Sequence, residues 1–89
     1  MSKIKVANEE RYEGFTNFKT WEVNLELNNT YKAYTTALQL VRNGISTNDL
    51  AKWIKNNNNW QYYNNVNYKE IAEEFIRNYN EEIKPFEDK

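Results

Sequence analysis

Apolar positions recur along this chain with two competing periods. In NFKTWEVNLELNN, residues 17–29, Trp21, Val23, Leu25 and Leu27 alternate with Glu22, Asn24 and Glu26, the spacing of a half-buried strand. Trp21, Leu25 and Asn28 also share a helical face. A strand needs a partner, and the only other alternating run (Trp60, Tyr62, Asn64, Val66, Tyr68) is broken by Asn-rich turn formers. A helix satisfies its own backbone, with Asn17 or Thr20 placed to cap its start and Asn28-Asn29 to end it. The stretch therefore reads as a short helix, Trp21 and Leu25 facing inward with Val23 and Leu27 flanking them.

Further along, the helical period is plain. Tyr31, Tyr34, Ala37, Leu38 and Val41 fall at 3–4 spacing, with Thr30 as a cap and Gly44 as a stop after Arg42. Thr47 is placed to cap TNDLAKWIKNN, whose inner stripe is Leu50, Trp53 and Ile54. NNNNWQYYNN then breaks the pattern as a loop. Asn67 can cap YKEIAEEFIRNYNEEI, with Glu70 at the capping-box position and a stripe of Tyr68, Ile71, Ala72, Phe75, Ile76 and Tyr79. Pro85 is expected to end that helix. The pattern predicts an all-α, compact single domain over 1–89, of about four short helices. Residues 1–16 form a loosely ordered arm that ends by docking Phe15 and Phe18, and 83–89 form a polar tail. The expected core is Trp21, Leu25, Leu38, Val41, Leu50, Trp53, Ile71, Phe75 and Ile76.

Composition changes this picture mainly by exclusion. Aromatic residues are 16% of the 89 positions, enough to compensate for few aliphatics in a small core. The chain has no Cys and no His. Disulfides, thiol chemistry, zinc sites of the usual kind and His-dependent nucleophilic catalysis are closed to it. The start, MSKIKVANEE, shows no secretory signal, and no apolar run is long enough to span a membrane. A cytoplasmic protein is the expectation. Net charge is −1 but unevenly spread. Lys32, Arg42, Lys52, Lys55 and Lys69 face only Asp49 across residues 30–69, whereas the last twenty residues are strongly acidic. Two weakly attracting solvated faces are the plain reading. The Asn richness, including Asn56 to Asn59, follows an A/T-rich codon bias more simply than a function.

Two segments, GFTNFKTWEVNLELNN (14–29) and VNYKEIAEEFI (66–76), together resemble a family of small uncharacterised proteins found in phages, prophages and plasmids. Its members carry an Asn-x-x-Thr-Trp-x-Val-x-Leu segment near the start, here Asn17, Thr20, Trp21, Val23 and Leu25, and a Val-Asp-Trp-x-x-Ile-Ala-like helix near the end. This chain departs from them at Glu26 and at Asn67-Tyr68. The resemblance implies an all-helical fold and a mobile-element origin, and it implies no reaction.

Candidate chemistry is sparse. Glu22 and Glu26, with Glu70, Glu73 and Glu74, lack the histidines of a carboxylate-bridged metal site, and solvated glutamates are the simpler reading. Asn17, Thr20 and Trp21 have no base to activate a hydroxyl, so capping and packing explain them better. With only Gly14 and Gly44, no glycine-rich phosphate cradle exists. An enzyme is not expected, nor a cofactor or metal. The segment 52–69 is the best binding candidate: Lys52 and Lys55 precede Asn58, Asn59, Trp60, Tyr62 and Tyr63. Such aromatics supply rigid contact area to a protein partner, and with lysines they can also stack single-stranded bases. If these rings instead cover the open end of the core, their role is structural. The expected function is stoichiometric binding of a host or defence protein, of anti-restriction or anti-CRISPR type. Nucleic-acid binding and self-association are the alternatives.

Overall fold

The computed structural model describes residues 13–56 and 65–87, and over these the protein is all-α. Its helices are α1 (Phe18–Asn29), α2 (Tyr31–Arg42), α3 (Thr47–Asn56) and α4 (Tyr68–Asn78). A π-helical turn, Tyr79–Ile83, then leads into a last short helix, α5 (Lys84–Glu87). Packing is most extensive between α3 and α4, with α1 laid against α2 and α4. One core joins them. Val23 and Leu27 of α1, Leu50 and Ile54 of α3 and Ile71 of α4 are fully buried in it, and Ala37, Leu38, Val41 and Phe75 complete it.

The roll of α1 about its own axis differs from the sequence expectation. Thr20, Val23 and Leu27 face inward, while Leu25 is 42% exposed and Trp21 is half-buried. The reason is a pair of crossed caps. Asn17 caps α1, its Oδ1 accepting the Thr20 N–H at 2.9 Å, and Asn67 caps α4 by accepting the Glu70 N–H at 3.0 Å. In an ordinary capping box the side chain at the third helical position returns to its own helix. Here the two exchange helices. Thr20 Oγ1 accepts the Asn67 N–H at 2.9 Å, and Glu70 Oε1 accepts the Thr16 N–H at 2.8 Å. The Asn17 amide adds a bond to the Asn65 carbonyl at 2.7 Å. Thr20 must therefore point at α4, and the residues three and seven positions later point with it. The Glu70 carboxylate also sits between two positive helix ends, where it opposes the field of both.

Other ends follow local chemistry. Gly44 at φ +88° ends α2 in a Schellman motif, its N–H bonded to Val41 O and the Ile45 N–H to Leu40 O. Ser46, not Thr47, caps α3: its hydroxyl accepts the Asp49 N–H at 3.1 Å. Thr30 closes α1 and opens α2 without a side-chain cap bond. Trp53 and Ile76, expected in the core, are half-buried at its edge. Phe15 is buried as expected, but Phe18 is 46% exposed.

Pro85 does not end the helical rod. An α-turn there would set its ring against the Glu81 carbonyl and leave that carbonyl without a donor. The backbone widens instead, with the Lys84 N–H bonding Tyr79 O across five residues. Residues 84–87 thus continue as helix where the sequence suggested a tail.

Candidate functional site

Of the residues singled out for binding, Asn58, Asn59, Trp60, Tyr62 and Tyr63 lie outside the described residues. Lys52 and Lys55 lie one turn apart on α3, both exposed. The Asn17–Thr20 motif is consumed by the crossed caps, in keeping with a structural role. No group of three or more acidic residues suited to holding a metal ion is found among the described residues.

Two surface features remain, and both involve α1. The first is a second apolar stripe. Phe18, Trp21 and Leu25 fall at i, i+3, i+7, on the side of the helix opposite Thr20, Val23 and Leu27. The Phe18 and Trp21 rings meet at 5.5 Å with a 38° tilt, forming one platform. Apolar residues thus stand on opposite faces of α1.

The second is a groove at the far end of α1. It encloses about 480 Å³ and is lined by Asn28, Tyr34, Phe75, Asn78, Tyr79, Glu82 and Ile83. That volume lies within the range of small-ligand and side-chain pockets. α1 and α4 start together at the crossed caps, and their C-terminal turns both reach this groove. Tyr34 and Phe75 form an aromatic wall, their rings 5.7 Å apart and tilted by 56°. Tyr79, Glu82 and Ile83 come from the π-turn, where their i, i+3, i+4 spacing puts all three on one side. Asn28 lies three residues beyond Leu25, so the apolar stripe runs into the groove.

The wall at Tyr79 is held by a charged clasp. The Tyr79 hydroxyl donates to Glu87 Oε1 at 2.8 Å. Arg42 donates from Nε to Glu87 Oε2 at 2.9 Å, with a second bond from Nη2. The Arg42 bond, and then the Tyr79 bond, hold the Glu87 carboxyl below its ordinary range. Hydrogen bonding to Glu87, followed by desolvation, raises the Tyr79 phenol above its ordinary value. The Arg42 guanidinium is raised by the same Glu87 contact. A second cluster joins Arg77 to Glu74 and Glu81.

The sequence did signal part of this. The 18–21–25 stripe is visible at helical spacing once the inner face is assigned to 20–23–27. The groove is not visible, because Asn28, Tyr34 and Glu82 come from separate elements and only packing joins them. No helix among the described residues is long and apolar enough to cross a membrane. No protein-family model matches the chain, and neither the curated proteins nor the solved structures yield a match.

Proposed function

We propose that this chain is a non-catalytic protein-binding module: a phage or mobile-element accessory protein acting stoichiometrically on a host or defence protein in the bacterial cytoplasm. One observation supports the binding reading above others, the outward apolar stripe of α1. Phe18 and Leu25, 46% and 42% exposed, stand on the face turned away from the core. Aromatic and aliphatic surface gathered on one helix face marks contact sites more than solvated ones. The mobile-element origin rests on the resemblance carried by Asn17–Leu25 and Val66–Ile76.

The test is a tagged pull-down from a low-GC Gram-positive lysate, with and without nuclease, comparing the native chain with Leu25→Asp. The expected result is one dominant protein that survives nuclease and is lost with Leu25→Asp, while circular dichroism and thermal midpoint stay native. Recovery abolished by nuclease would transfer the reading to nucleic acid through Lys52, Lys55 and the adjoining aromatic segment. Capture of the chain alone would make it a self-associating protein.

A further inference from the structure

Building on the protein-binding reading, we infer that the groove beside the π-turn is the seat for a basic side chain, lysine or arginine, presented by the partner. Its walls and its polar groups both point to that chemistry. Half-buried Tyr34 and Ile83 offer aromatic and aliphatic surface to an alkyl stem and a cation, while the largely buried Phe75 and Tyr79 add little to it.

Its polar groups include free acceptors. The Asn28 amide nitrogen already donates to Asn24 O at 2.8 Å, and that of Asn78 to Glu74 Oε2 at 3.4 Å. The carbonyl oxygens of both side chains remain to receive hydrogen bonds. Lysine and arginine are donors only and can use those oxygens, while the Glu82 carboxylate opposes an anionic ligand.

Charge completes the case. Glu82 is the one charged residue lining the groove. Glu74 and Glu81 are engaged by Arg77, and Glu87 by Arg42. Glu82 has no such cation among the described residues, so the groove carries an uncompensated negative charge beside an aromatic wall. A partner chain lying along Phe18, Trp21 and Leu25 reaches Asn28 and the groove mouth within one further helical turn.

The experiment is an amide-resolved NMR titration of the whole chain with N-acetyl-arginine amide and N-acetyl-lysine amide. The neutral N-acetyl-citrulline amide and N-acetyl-norleucine amide serve as matched controls. The cationic probes are expected to shift Asn28, Asn78, Tyr79 and Ile83 saturably, and the neutral ones not to. Glu82→Gln should weaken the cation by about fivefold, the loss of one partly exposed charge contact. Glu81→Gln, outside the groove, should leave it unchanged. Equal shifts from the neutral probes, silent groove residues, or equal weakening by both glutamine variants would overturn the assignment. Leu25→Asp should retain the probes, so a failed pull-down and a failed groove are read separately.

Discussion

Thr20→Val is the sharpest probe of how this fold is joined. Thr20 is fully buried, and its hydroxyl both donates to Asn17 Oδ1 at 2.8 Å and accepts the Asn67 N–H at 2.9 Å. Valine keeps the shape and β-branching, so neither a cavity nor a change in helix propensity intervenes. What changes is polar. The Asn67 N–H loses its acceptor in a part-buried position, at a cost of about 1–3 kcal/mol, and the Asn17 bond forfeits about 1 kcal/mol more. Apolar burial of the new methyl offsets part of this. The net expectation is about 2–3 kcal/mol, a large share of the stability of a domain this size. At about 4–8 °C per kcal/mol, the thermal midpoint should fall by roughly 10–20 °C. Thr20→Ser keeps the hydroxyl and drops one methyl, costing about 1 kcal/mol. Urea denaturation with an unchanged m-value reads both. If valine lies within about 0.5 kcal/mol of native, or serine costs more than valine, the crossed caps do not set the roll of α1.

The same roll makes a second prediction. Leu27→Ala, at a fully buried position, should cost about 2–5 kcal/mol, whereas Leu25→Ala should stay within about 0.5 kcal/mol; a reversed order in urea melts would restore the inner face expected from sequence. The Glu87 clasp should depend on acid. Because its carboxyl is held below the ordinary range, its contribution is present above the ordinary carboxylate pKa and is lost as pH falls through the depressed value. Hydrogen exchange at residues 84–87 should quicken across that window in the native chain and show no such step in Glu87→Gln. The raised Tyr79 phenol keeps its proton beyond the ordinary tyrosine range, so the clasp should persist into mild alkali.

By itself the sequence determined the number and nature of the elements. Helical spacing in 31–42, 47–56 and 68–78 was unambiguous, and Gly44 and Asn67 act at the positions their chemistry suggests. These are local properties, carried by residues within one or two turns of each other. Even the Asn-x-x-Thr of residues 17–20 was legible as a cap. What it could not convey was that Thr20 reaches across to Asn67, forty-seven residues away. The crossed caps, that bond among them, decide which apolar stripe of α1 is core and which is surface, since Trp21, Val23, Leu25 and Leu27 are hydrophobic on either reading. Pro85 was legible as an obstacle, but the anchor at Glu87 and the widened turn kept the rod helical. The groove arises only where the ends of α1 and α4 converge on Tyr34. Periodicity along a chain reports which residues can face inward; only contacts between elements fix which of them do.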